Sequence, residues 1–254
     1  MSEGAVAPEV RVLSAEAAVP VLLDELRRAL RQQPRGVIGF ATGNTFTPFL
    51  RALAGEMQAG RIATDFVATH LDEYLGFQPA QRGGMVHELC MACPPLLDML
   101  ARGAFLPVPS DGAERNLQAY AARIARAGGV SLQFLGIGRN GHLAFNEPGT
   151  PFDRGLHVTS LAETTRDDAR PRFVPDEPPV RAVTSGLRTI LDSRRLVLCA
   201  FGRAKAQALR SMLHGEIGPA CPATALRGHG NALVLSDRDA QSGIDGASRV
   251  GCGP

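Results

Sequence analysis

One unit recurs along this chain: a short, almost wholly apolar run followed by glycine or polar residues and then a helical pattern. "GVIGFA" precedes "TGNT" and the helical "FTPFLRALAGEMQAG", and "FVATH" precedes "LDEYLGF". "VSLQFLGIG" precedes "RNGHLAFNEP", "RLVLCAF" precedes "GRAKAQALRSMLHG", and "NALVLS" precedes "DRDA". Strands without polar alternation are buried on both faces, which is the signature of parallel rather than half-solvated antiparallel sheets. Helical segments lie between them. Ser14 can cap a first helix with an apolar face of Val19, Leu22, Leu23, Leu26 and Leu30 that ends before Pro34, and "ERNLQAYAARIARAG" is a second amphipathic pattern. These features predict a single α/β domain over residues 1–254, with a mostly parallel sheet and helices on both faces.

Composition narrows the partners. At 254 residues and 44% hydrophobic the chain can bury a sizeable core. The opening "MSEGAVAPEV" has no basic stretch followed by an apolar one, and no run approaches the roughly 18 apolar residues of a membrane span, so a cytoplasmic protein without a membrane partner is expected. The net charge is +2 with interspersed signs, and there are two Tyr and no Trp, which argues against a nucleic-acid surface. A small-molecule partner is expected. Five cysteines without a second CxxC give no disulfide framework or metal set. His87, Cys90 and Cys93, three apart, read as packing residues on a helix or loop. Of 27 basic residues only Lys205 is lysine, which singles it out for a role needing a compact ammonium.

"GIGRNGHLAFNEPGT" holds a G-x-G-x-x-G at Gly136, Gly138 and Gly141. A dinucleotide fingerprint requires a helix to follow and aim its N-terminus at pyrophosphate. Here His142 and a short apolar triplet lead instead to Asn146, Glu147, Pro148, Gly149 and Pro151, so the turn serves something other than NAD. In open parallel sheets ligands bind beyond the carboxyl ends of the strands. Thr42 to Thr45, Asp72 to Tyr74, Gly138 to Glu147 and Arg203 to Lys205 should therefore converge on one crevice. "ATGNT" ahead of a helix is an anion seat, and Lys205 opens a second helix, so a phosphate is expected there. Asp72 and Glu73 would point to opposite sides of an extended backbone, one to the crevice and one to the scaffold. His142 and Glu147, five apart in a shaped loop, can form a carboxylate-supported imidazole. Acid/base groups, a phosphate cradle and no metal-ligand set suggest proton transfer beside the carbonyl of a sugar phosphate. The Pro-rich "RPRFVPDEPPV" reads as a surface loop or lid.

"LDEYLGF", "GIGRNGHLAFNEPGT", "TRDDARPRF" and "GRAKAQAL" resemble the glucosamine-6-phosphate deaminases in order and spacing across about 40 to 238, and "GHLAFNEP" is the most specific of these runs. The related 6-phosphogluconolactonases share a Gly-His turn but lack the FNEP run. The resemblance implies a Rossmann-like α/β fold and conversion of glucosamine 6-phosphate and water to fructose 6-phosphate and ammonia, in the catabolism of N-acetylglucosamine, with no cofactor and no metal. It implies that His142, supported by Glu147 and Asn140, opens the sugar ring and that Asp72 moves a proton from C2 to C1. Thr42, Gly43, Asn44, Thr45, Gly138, Arg172 and Lys205 would hold the substrate and its phosphate.

The resemblance has departures. Asn140 stands where several members carry Asp, which predicts a different pH optimum. Phe46 replaces a proline after the phosphate-loop threonine, and residues 78–100 do not match the family's helix there. His157 and Thr159 occupy positions that are basic in allosterically activated members, so activation by N-acetylglucosamine 6-phosphate is not expected. Alternative readings are a deaminase for galactosamine 6-phosphate, a lactonase-like hydrolase, and a sugar-phosphate sensor without turnover. The sequence is compatible with a monomer or a homo-oligomer.

Overall fold

A computed structural model of the chain describes residues 7–245. The start of the opening segment on which the cytoplasmic expectation rests, residues 1–6, lies outside them. Seven strands form one wholly parallel sheet. Their spatial order is β1 (Glu9–Val12), β10 (Ala232–Ser236), β9 (Leu196–Ala200), β6 (Val130–Gly136), β2 (Val37–Phe40), β3 (Val67–His70) and β5 (Phe105–Leu106). The central strands are buried throughout, as their lack of polar alternation predicts: every residue of β2, β9 and β10 is buried.

Helices cover both faces. Along β2 alternate side chains leave opposite faces. Val37 packs with Leu117, Tyr120 and Ile124 of α5 (Glu114–Arg126). Ile38 and Phe40 join the larger core with Leu22 and Leu26 of α1 (Ala15–Gln32) and Leu50 and Leu53 of α2 (Thr47–Gln58). Ser14 caps α1, its hydroxyl accepting from the Ala17 amide at 3.2 Å. The same core takes Val86 and Leu89 of α3 (Met85–Ala92), Leu96 and Met99 of α4 (Pro95–Ala101), Leu209 and Met212 of α8 (Ala206–His214) and Ala240 of α9 (Arg238–Asp245). Among the described residues no helix is long and apolar enough to cross a membrane.

Two features depart from the sequence reading. "LDEYLGF" does not turn into a helix after β3. Its first part is a strand, β4 (Asp72–Tyr74), in a second sheet with β8 (Arg181–Thr184) and β7 (His157–Ser160), all antiparallel. These strands are three or four residues long, too short to show a period, and they are set by pairing across the fold rather than by local pattern. "ETTRDDA" forms the helix α6 (Glu163–Ala169), which continues into a 3-10 turn over Arg170–Arg172, so the first three residues of the expected Pro-rich loop, 170–180, are helical instead. Its residues are mostly polar, so hydrophobic periodicity does not mark it. α7 (Leu187–Leu191) follows β8.

Candidate active site

β9, β6, β2 and β3 stand side by side and run the same way, so the segments leaving their C-terminal ends meet at one edge of the sheet. Lys205 follows β9, Gly138 to Glu147 follow β6, Thr42 to Thr45 follow β2, and Asp72 follows β3. From β2 the chain runs outward to β3 and β5 and then returns to β6 on the other side of β2, which makes the β2/β6 boundary the topological switch point where such sheets bind ligands.

The glycines of the turn after β6 seat an imidazole. A methyl group on Gly138 would overlap the ring of His142, so the ring lies directly over a backbone without a side chain. Gly141, at φ +83°, turns the chain back so that its amide donates to the Gly138 carbonyl at 3.0 Å, while the Gly138 amide donates to the His142 carbonyl at 3.0 Å. Ala144 is held in the left-handed region at φ 52°, a conformation that persists where surrounding contacts over-determine it. Those contacts come from β8: Thr184 Oγ1 accepts from the Phe145 amide at 3.1 Å, and Asn146 Nδ2 donates to the carbonyls of Leu143 and Ser185, both at 2.8 Å.

Within this turn Glu147 lies beneath His142, with Oε2 3.5 Å from Nδ1. Asn140 bridges them. Its Nδ2 donates to Glu147 Oε2 at 2.8 Å, and its Oδ1 accepts from the His142 amide at 3.1 Å. An aspartate at position 140 could accept the second bond but, ionised, could not donate the first. Thr165 of α6 donates to Glu147 Oε1 at 2.6 Å. Burial works to push the Glu147 carboxyl up, but the bonds from His142, Thr165 and Asn140 outweigh it and hold the group down to about 2.

Asp72 and Glu73 divide as an extended backbone requires. Glu73 faces the scaffold and accepts from the amides of Tyr74 (2.9 Å), Met85 (3.0 Å) and Val86 (3.0 Å), closing the N-terminus of α3, where Gly84 offers no capping side chain. Asp72 lies opposite Thr184 of β8, the residue that also pins the His142 turn. It is 8% exposed, and among the described residues its carboxyl has no hydrogen-bond donor. Burial, then the Glu73 charge, push it up to about 7, with Arg172 pulling the other way.

The residues expected to bind an anion lie on the segments that follow β2, α6 and β9. Gly43, at φ +90°, accepts from the amides of Phe46 (3.0 Å) and Thr47 (3.2 Å), which folds the loop onto the start of α2, where no side chain caps the helix. Phe46 is fully buried against Phe49 and Phe134 and anchors the turn in the core. Thr42 Oγ1 and Arg172 Nη1 both contact the sulfur of Met85, at 3.1 and 3.9 Å, and Arg172 Nη2 donates to the Tyr74 hydroxyl at 2.9 Å. The unmatched segment 78–100 thus contributes Met85 to the site. Lys205 is half-buried at the start of α8, and burial pushes its ammonium below the usual lysine value, opposed by Asp168. Asp168 is already paired with Arg139 at 2.6 Å, and Lys205 has no ion pair among the described residues.

Thr165, Met85 and the capping role of Glu73 were not legible in the sequence. The adjacent threonines of "ETTRDD" carried no periodic or spacing signal. His87, Cys90 and Cys93 stand apart from the site. Cys93 packs in the core near Met57, and burial pushes the thiols of Cys90 and Cys93 up to about 11 and about 12, the state of inert packing cysteines.

A parallel α/β sheet that presents a helix N-terminus without a side-chain cap, a lysine with no ion pair among the described residues, a buried carboxyl and a carboxylate-supported histidine at its switch point defines a class of proteins that act on small phosphorylated molecules. The chain belongs to the family of glucosamine-6-phosphate isomerases and 6-phosphogluconolactonases, whose model matches residues 11–235. It is 37% identical to a glucosamine-6-phosphate deaminase of Bacillus velezensis over 86% of this chain and 92% of that one. It is 36% identical to a glucosamine-6-phosphate deaminase of Hahella chejuensis over 91% of this chain and 90% of that one. Among solved structures it resembles a monomeric glucosamine-6-phosphate deaminase, with a TM-score of 0.81 at 30% identity over 92% of this chain and 99% of that one. The 6-phosphogluconolactonase of Trypanosoma brucei, at 18% identity and a TM-score of 0.73 over 94% of this chain and 99% of that one, shares the fold.

Proposed function

We propose that this chain is a glucosamine-6-phosphate deaminase that converts glucosamine 6-phosphate and water to fructose 6-phosphate and ammonia. The observation that carries the proposal is that the segments leaving the C-terminal ends of four adjacent strands carry a carboxyl pushed up to about 7, a histidine held by an ionised glutamate and a loop suited to a phosphate. A general base is most effective when its pKa lies near the working pH.

Thr42, Gly43, Asn44, Thr45, Arg172 and Lys205 hold the phosphate, and Gly138 lets the His142 ring sit against the backbone at the reacting end. His142 takes the anomeric hydroxyl proton and passes it to the ring oxygen as the C1–O5 bond breaks, giving the open aldehyde. Glu147 and Asn140 keep the ring in place for this step. Asp72 removes the C2 proton while a proton passes from the substrate's ammonium to O1, leaving a neutral enolamine; Asp72 then returns its proton to C1 as the nitrogen pair forms the C2 iminium. Water adds to C2 and ammonia leaves. The electrons of the C2–H bond are taken up by the substrate's own C1 carbonyl, and its nitrogen supplies the pair for the iminium, so these steps call on no cofactor or metal. The relatives' names and the 30% identical monomeric deaminase support this reading. We further assign the protein to the cytoplasm, as one domain over 1–254 that works as a monomer or homo-oligomer without a nucleic-acid or membrane partner.

The test measures ammonia release from glucosamine 6-phosphate and galactosamine 6-phosphate, and acid release from 6-phosphogluconolactone. Turnover of the first alone is expected. Preference for the second sugar, lactone hydrolysis, or tight binding without turnover would replace the proposal by the corresponding alternative.

A further inference from the structure

Thr165 enters the site from a different part of the chain than the turn it touches, and its hydrogen bonds can be counted. Its hydroxyl lies 2.6 Å from Glu147 Oε1 and 3.4 Å from His142 Nδ1. It is 7% exposed, so water is not a ready substitute partner. A hydroxyl has one proton to donate. The ionised Glu147 can only accept, so that proton points at Oε1. Towards Nδ1 the Thr165 oxygen then presents a lone pair. The second neighbour of Nδ1, Glu147 Oε2 at 3.5 Å, is also an acceptor, and it is kept in place by Asn140 Nδ2 at 2.8 Å. Among the described residues Nδ1 therefore faces two acceptors and no donor. In the neutral imidazole one nitrogen carries hydrogen and the other a lone pair, and neighbours decide which.

We propose that Thr165 is a positioning residue that fixes the tautomer of His142, keeping hydrogen on Nδ1 and the lone pair on Nε2, the atom left to meet the substrate. The proposal rests on the reading of His142 as the ring-opening base. In that step Nε2 takes the proton from the anomeric oxygen, whose O–H pair becomes the second bond of the carbonyl. The C1–O5 pair goes to O5, and Nε2 then gives the proton to O5, so that proton and charge balance and the histidine returns to its starting state. A ring with hydrogen on Nε2 cannot begin this sequence.

The placement has a second consequence. Thr165, Asp168 and Arg172 follow at i, i+3 and i+7 through α6 and the turn that continues it, so they share one face. Thr165 reaches Glu147, Asp168 reaches Arg139, and Arg172 reaches Tyr74. The arm that supplies a proposed phosphate ligand thus also sets the proton on the ring-opening histidine.

Thr165→Val keeps the branched shape and removes the hydroxyl, and Thr165→Ser keeps the hydroxyl. With glucosamine 6-phosphate, Thr165→Val should lower kcat by about 10- to 100-fold, less than the 10²–10⁴ of losing an acid/base group outright. KM should stay within about threefold, because phosphate contacts are retained, and Ser should restore most of kcat. Imidazole ¹⁵N spectra of the free proteins, with the His142 signal identified through His142→Gln, should show hydrogen on Nδ1 in wild type and the Ser variant, and a growing Nε2–H population in the Val variant. A Val variant with wild-type kcat, or one that loses activity with unchanged ¹⁵N populations, overturns the assignment, as does a Ser variant that restores neither. The spectra need no substrate. A tautomer shift in a protein that releases no ammonia would leave Thr165's role standing and reject the deaminase reading instead.

Discussion

Replacing Asp72 with asparagine should make the protein more stable at alkaline pH while stopping its chemistry. The side chain is buried without a hydrogen-bond donor among the described residues, beside the Glu73 carboxylate, and its carboxyl is pushed from about 3.8 up to about 7. The folded state therefore keeps a proton that the unfolded chain releases near pH 4. Between about pH 4 and 7 the native state binds more protons than the unfolded state, and stability falls as pH rises across that window. At about 1.4 kcal/mol per tenfold change in proton affinity, the gap between about 3.8 and about 7 amounts to about 4 kcal/mol lost by pH 8. Asparagine has the same shape and no charge to desolvate. Against wild type, Asp72→Asn should gain little at pH 4 and up to about 4 kcal/mol at pH 8, measured by denaturant unfolding at both pH values. Its turnover should fall by about 10²- to 10⁴-fold with substrate binding retained, and the acid limb of the wild-type kcat/KM profile should lie near pH 7. A stability difference that is constant from pH 4 to pH 8 would show that Asp72 ionises as it does in the unfolded chain, and the argument for a tuned base would fail. Turnover within threefold of wild type would remove Asp72 from the mechanism.

Glu73→Gln should weaken the cap on α3, costing about 1.5–3 kcal/mol for a lost charged hydrogen bond, and by removing the charge beside Asp72 it should move the acid limb of kcat/KM to lower pH. A limb that does not move would show that burial alone sets Asp72. Gly138→Ala places a methyl in the His142 ring and should reduce turnover with little change in unfolding midpoint; full activity would show that the ring can sit elsewhere. Lys205→Ala should raise KM by roughly 10- to 150-fold, the equivalent of about 1.5–3 kcal/mol for a bond to a charged group, and should relieve inhibition by inorganic phosphate. Equal phosphate inhibition in the two proteins would place Lys205 outside the phosphate site.

The sequence by itself determined the parallel sheet, because β2, β9 and β10 are buried on both faces and residues with no wet face leave no polar alternation to misread. From that, the convergence of Thr42, Asp72, His142 and Lys205 followed, since strands running the same way carry their ends to one edge. The opposite placement of Asp72 and Glu73 was legible for the same kind of reason: an extended backbone alternates its side chains. What the sequence did not determine was how partners distant in the chain would meet. β4, β7 and β8 are short strands that exist only because they pair with one another, and the polar helix α6 has no apolar stripe to announce it. Glu73's acceptance of the α3 amides and Thr165's hydroxyl between His142 and Glu147 depend on distances of about 3 Å across separate elements, and such distances arise from packing rather than from local pattern. The solitary lysine could be singled out by composition, but that it has no carboxylate partner among the described residues was decided by packing, which pairs Asp168 with Arg139.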